Sequence, residues 1–159
     1  MAVRESTSPD EPSDGKRPQH KLTTFRSAVN ELDVTLLLGH IWFVRPYLGM
    51  VVRDSAGAFI ASRVLHFANV FSALHVEALL IWTSVAFAVE REFSYICFES
   101  DCLQIVSALG LSIIDRSFLG PILEVTKELL QQVIGVGFIH TCRTANGVAH
   151  HLAKFALHL

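Results

Sequence analysis

Tyr95-Ile96-Cys97-Phe98-Glu99-Ser100-Asp101-Cys102 is an apolar run that ends on two carboxylates and passes at once into a helical pattern. A short, nearly continuous apolar run of this kind reads as a buried strand, and an acidic residue at the C-terminal end of such a strand is where α/β proteins commonly hold metals or perform acid–base chemistry. By the two-residue period of a strand Glu99 and Asp101 share a face, so the expectation that Glu99 points away from Asp101 rests on the twist at the strand end. In the absence of other information Asp101 is equally suited to cap the helix that follows at Cys102.

Working toward the N-terminus, Ser72 opens a segment rich in Ala, Leu, Val and Glu that runs to about Glu92, with Ser72 as N-cap; this is the longest predicted helix. Glu77 stands in it among Leu74, Ala78 and Ile81, where a carboxylate is costly without a metal or an Arg partner. Upstream lie three predicted strands, Leu32–Leu38, Leu48–Asp54 and Phe59–Leu65, the last two joined by the turn Asp54-Ser55-Ala56-Gly57 into an antiparallel hairpin. The connection through Gly39–Tyr47, with Pro46 in it, has no assigned structure. Toward the C-terminus come a short helix over Leu103–Leu109 stopped by Gly110, a helix from Pro121 to about Val133, a strand over Gly135–Thr141 and a final helix over Asn146–Leu159, with Asn146 as its cap. The order β-β-β-α-β-α-α-β-α combines an antiparallel hairpin section with helix-crossover parallel strands.

The chain of 159 residues is 51% hydrophobic and 18% charged, enough for one core and too short for two ordinary domains. Residues 1–28 are polar, with no apolar core of a signal peptide, and read as a disordered leader before a domain over residues 29–159. Net charge is −2, so any nucleic acid must be met by a local patch. The apolar stretch Ser72–Val89 is interrupted by His75, Glu77 and Ser84, which argues against a membrane span. Cys97, Cys102 and Cys142 show no zinc-type spacing and fit free thiols in a reducing, intracellular setting, nucleus or cytoplasm. Trp42, Trp82 and the eleven Phe residues read as core, because no Lys/Arg interleaving accompanies them.

The element order resembles the ribonuclease H fold: a mixed five-stranded sheet, three antiparallel strands followed by parallel ones, with helices on both faces. Local strings are similar to plant ribonuclease H-like domains related to non-LTR retroelement reverse transcriptases. These are Gly49-Met50-Val51-Val52-Arg53-Asp54-Ser55-Ala56-Gly57-Ala58-Phe59, Val76-Glu77-Ala78-Leu79, Phe98-Glu99-Ser100-Asp101, and Phe138-Ile139-His140 running on to Arg143, Asn146 and Ala149-His150-His151-Leu152-Ala153-Lys154.

The resemblance implies a nuclease that cuts the RNA strand of RNA–DNA hybrids, using four carboxylates that hold two Mg²⁺, with Mn²⁺ as a substitute, about 4 Å apart. Those carboxylates come from the first strand, the long helix, the end of the fourth strand and the last helix. Here they map onto Asp33, Glu77 and Asp101 as metal ligands, with His150 where the family has Asp. An imidazole is a softer ligand that Mg²⁺ takes poorly, which weakens the second metal position. His140, ten residues earlier, matches a mobile catalytic His of the family. His150 and His151 also suit a solvated helix face.

Arg143, Asn146 and Lys154 are the implied nucleic-acid contacts. Arg116 is alone between the two middle helices, so the basic handle of some relatives is missing and binding is expected to be weak and salt-sensitive, by a monomer with no membrane partner. Two functions stand open: a hybrid-cleaving endonuclease with reduced activity, or a retroelement-derived nucleic-acid or protein-binding module without turnover.

Overall fold

The computed structural model describes residues 34–41, 46–111 and 114–158. The expected leader, Asp33 and residues 42–45 of the unassigned connection, Trp42 among them, lie outside the described residues.

Among the described residues nine elements follow in chain order: β1 (Val34–Ile41), β2 (Tyr47–Asp54), β3 (Phe59–His66), α1 (Ala73–Glu90), β4 (Tyr95–Ser100), α2 (Leu103–Gly110), α3 (Gly120–Leu130), β5 (Gly135–His140) and α4 (Gly147–Ala156). They form a five-stranded sheet in the order β3-β2-β1-β4-β5. β1 pairs antiparallel with β2 and parallel with β4, and β5 runs parallel to β4. The mixed sheet expected from the element order is therefore present.

Local chemistry accounts for the boundaries. The β2–β3 turn closes because Asp54 Oδ1 accepts from the backbone N–H of Ala56 and Ala58 at 2.9 and 2.8 Å, and Gly57 takes φ +84°. The Ser72 hydroxyl accepts from His75 N at 3.1 Å and starts α1 as expected. Three ends differ by three residues, one being that of α4, which stops at Ala156 instead of Leu159. β1 continues past Leu38 to Ile41 because its antiparallel pairing with β2 persists to Ile41↔Tyr47. α3 stops at Leu130 instead of Val133, closed by hydrogen bonds from Gln131, Gln132 and Val133 to carbonyls three residues back.

Alternation along β1 sends Val34, Leu36 and Leu38 into the main core, with Phe87 and Ile81 of α1, Phe98 of β4, Ile105 of α2 and Leu123 of α3. α1 is long and apolar enough to cross a bilayer, yet it is this core's central helix. The opposite sheet face meets α4, where Leu37 and Val51 pack on Ala149. That approach is close: a Cβ on Gly39 would lie 2.5 Å from His150 N, and one on Gly49 would lie 2.5 Å from Ala149 O. Two glycines and the small residues Ala149 and Ala153 thus let α4 sit almost directly on the sheet. Helices cover both faces, and the ends of β1, β4 and α4 are drawn together with the N-terminal half of α1.

Not all the Phe residues are core. Phe87 and Phe98 are buried, but Phe59, Phe71, Phe118 and Phe155 are exposed. Phe71, Phe118 and buried His75 form an aromatic trio at the start of α1, with ring centroids 5.3 to 5.7 Å apart. One-dimensional spacing of basic residues could not reveal which rings face outward.

Candidate functional site: a carboxylate pair closed by two histidines

Glu77 lies in the first turns of α1, on the side facing the sheet, and is 7% exposed. Its partner is neither a metal ligand set nor an Arg. His40, on β1, places Nδ1 2.7 Å from Glu77 Oε1. His40 is 7% exposed and occupies the next inward position of β1 after Leu36 and Leu38. Nothing in the sequence reading pointed to this histidine. The signal that could have found it is the alternation itself, since an inward series of Val34, Leu36 and Leu38 continues onto an imidazole that needs a polar partner.

Asp101 follows β4 directly. It does not cap α2, whose N-cap is Cys102 with no side-chain cap bond. Instead its Oδ2 lies 3.3 Å from His150 Nε2. This contact, ahead of the opposing effect of burial, holds the Asp101 carboxyl below its ordinary range, and the charge of Arg143 acts in the same direction. Glu99 turns the other way, onto Arg53 Nη2 at 2.8 Å across the sheet, so the two acidic residues of the strand end part company.

His150 is buried on α4, whereas neighbouring His151 is exposed and bonds back to Gly147 O at 2.6 Å. The solvated-face alternative therefore holds for His151 and not for His150. The backbone N–H of His40 donates to His150 Nδ1 at 3.2 Å, which leaves His150 Nε2 as the nitrogen facing Asp101. The two rings stand with centroids 6.0 Å apart and planes tilted by 60°. Asn146 occupies the backbone N-cap position of α4 without a side-chain cap; its Nδ2 donates to Glu99 O at 3.4 Å. The expected cap is replaced by a tie between α4 and β4.

Among the described residues, the buried side-chain polar atoms without an aligned hydrogen bond are His40 Nδ1, Asp101 Oδ1, Asn146 Oδ1 and His150 Nε2. All stand at this one end of the sheet, where unsatisfied polar atoms are typical of a functional site. His140 closes β5 at the same end, level with Ser100, and is exposed. Arg143 and Lys154 are exposed, the first on the β5–α4 loop and the second on α4. A concavity of about 370 Å³ lies apart from this cluster, on the α4 face of the sheet, lined by Thr35, Arg53, Cys97, Glu99 and Ile139.

The donor set does not fit a pair of hard dications. Mg²⁺ takes oxygen ligands at about 2.0–2.1 Å in an octahedron. Each of the two carboxylates here already has an imidazole against it, and β1 brings His40 rather than a carboxylate to Glu77. No group of three or more His, Cys, Asp or Glu among the described residues is arranged to hold a metal ion. Asp33, the expected first-strand ligand, lies outside the described residues.

Comparison with known proteins bears on this site. Residues 45–156 match a family described as reverse transcriptase-like. Among solved structures, ribonuclease H1 from Halobacterium salinarum superposes with a TM-score of 0.71 at 18% identity, over 78% of this chain and 96% of that one. LC11 ribonuclease H1 from a compost metagenome, solved in complex with an RNA/DNA hybrid, gives 0.67 at 12% identity over 78% and 99%. A foamy viral protease-reverse transcriptase, also solved with an RNA/DNA hybrid, gives 0.67 at 10% identity over 96% of this chain and 22% of that one. A search of curated proteins found no match.

Proposed function

Because the chain belongs to the reverse transcriptase-like family and has a ribonuclease H-like fold, we propose that it is a nucleic-acid-binding domain whose hydrolytic activity is reduced to a trace or lost. Its ligand class is the RNA–DNA hybrid, the nucleic acid present in two of the structures it resembles. The observation that carries the loss of turnover is the capture of both carboxylates, Glu77 by His40 and Asp101 by His150. A carboxylate held by an imidazole is a poor ligand for Mg²⁺, and hydrolysis by two metals needs both.

Binding would run along the rim where Arg143 and Lys154 are exposed, with Asn146 behind them. With so few cations the affinity is weak, and it falls with salt in proportion to the small number of phosphates contacted. Fluorescence anisotropy with a labelled RNA–DNA hybrid, at low and at physiological salt, tests the binding. No binding at low salt with protein in large excess would sink the proposal. A cleavage assay with the same hybrid in Mg²⁺ and in Mn²⁺ tests the rest. Rapid cleavage that disappears in Asp101→Asn would restore the endonuclease reading, with Asp33, Glu77 and Asp101 as ligands and His140 and His150 assisting.

A further inference from the structure

We infer that His40 and His150 hold the place of divalent cations at this site: the two imidazoles close Glu77 and Asp101 to hard metal ions and tie together the elements that a metal pair would otherwise join. The inference rests on reading this end of the sheet as the functional site. It does not depend on which nucleic acid, if any, is bound.

The four side chains come from β1, α1, the end of β4 and α4. Those are the same four elements from which the resemblance draws its carboxylates, with an imidazole supplied by two of them. At 2.7 Å from Glu77 Oε1, His40 Nδ1 takes one of the approaches a cation would use to that oxygen. Moving the ring aside is resisted. His40 is 7% exposed, β1 pairs with β2 along its whole length, and its backbone N–H is committed to His150 Nδ1. His150 is equally fixed, because Gly39 and Gly49 seat α4 against the sheet with no space to shift inward. The rings, with centroids 6.0 Å apart and planes tilted by 60°, stand one against each carboxylate. The His40–Glu77 contact links β1 to α1, and the His150–Asp101 contact links α4 to β4. Packing at this end therefore needs no metal.

The test follows thermal unfolding of chelator-treated protein on addition of MgCl₂ or MnCl₂, without nucleic acid, against NaCl of matched ionic strength. Wild type is expected to show the same Tm in both salts. The double variant His40→Asp/His150→Asp, checked for native circular dichroism, is expected to unfold earlier in chelator. In Mg²⁺ its Tm should rise by about 4 °C for each tenfold excess over its dissociation constant. A wild-type Tm that rises with Mg²⁺ and ceases to do so in Asp101→Asn overturns the inference. So does a folded double variant indifferent to Mg²⁺. The wild-type titration decides the matter alone if the double variant does not fold. Since no nucleic acid is present, failure here leaves the binding proposal standing, and loss of hybrid binding leaves this inference standing.

Discussion

Replacing Gly39 by Ala probes the contact on which the site depends. A Cβ at this position would lie 2.5 Å from His150 N, 2.7 Å from Ala149 C and 3.0 Å from His150 Cα. Ordinary carbon contacts sit at about 3.5–4.0 Å, so α4 must retreat by roughly 1 Å. All three atoms are backbone, and no side-chain rotation relieves the clash. The retreat lifts Ala149 and Ala153, both fully buried, off Leu37, Val51 and Gly49. Overpacking of this kind costs about 1–3 kcal/mol, and a backbone-on-backbone clash belongs at the upper end, about 3 kcal/mol. For a domain of this size that corresponds to a fall in Tm of roughly 9 °C. Urea unfolding at constant m-value measures it. Gly57→Ala is the control: nothing lies within 4 Å of its Cβ, so only the left-handed φ of +84° acts against it, about 1 kcal/mol. A loss at Gly39 no larger than at Gly57 would refute the close seating of α4, and with it the fixed position of His150.

Other expectations concern acid, thiols and caps. Asp101 has its carboxyl depressed below the ordinary 3.8, so its contribution is present above that value and is lost as pH falls through the folded-state value. Asp101→Asn should therefore be less stable than wild type near neutrality, with the gap in urea midpoint closing only below about pH 4; a gap that closes well above this window contradicts the assignment. Cys142 is exposed, with its thiol lowered chiefly by the Thr144 hydroxyl, whereas burial, aided by Glu99, pushes Cys97 up to about 12. A thiol reagent at mildly alkaline pH should label Cys142 first and Cys97 only on unfolding; a fast phase that survives Cys142→Ser counts against this. Ser72→Ala should cost about 1 kcal/mol by removing the cap at His75 N, measured by urea unfolding, and no change would mean that the cap contributes nothing.

Much of the fold is legible because its signals are local. The Asp54–Gly57 turn, the Ser72 cap and the apolar runs of β2 and β4 each announce themselves within a few residues, and the structure has them all. Boundaries that depend on pairing are not local. β1 gains Gly39, His40 and Ile41 only because β2 is there to bond them, and Asn146 abandons its cap because Glu99 O comes within reach. The candidate site divides in the same way. Glu77 and Asp101 stand out as carboxylates in apolar surroundings, and His150 stands out by the resemblance. His40 does not, since nothing in Leu38-Gly39-His40-Ile41 marks it as a partner for a helix residue far along the chain.

The sequence by itself determined the order of elements and the two acidic residues of the candidate site, because periodicity, turn chemistry and strand-end carboxylates are properties of short segments; the family came from the resemblance of its local strings. Only the tertiary structure decided what faces those acids. Which side chain meets which across the sheet depends on strand register and on how closely α4 can approach, and that approach is set by two glycines whose missing Cβ atoms leave room for a helix backbone. From this packing comes the placement of His40 on Glu77 and His150 on Asp101.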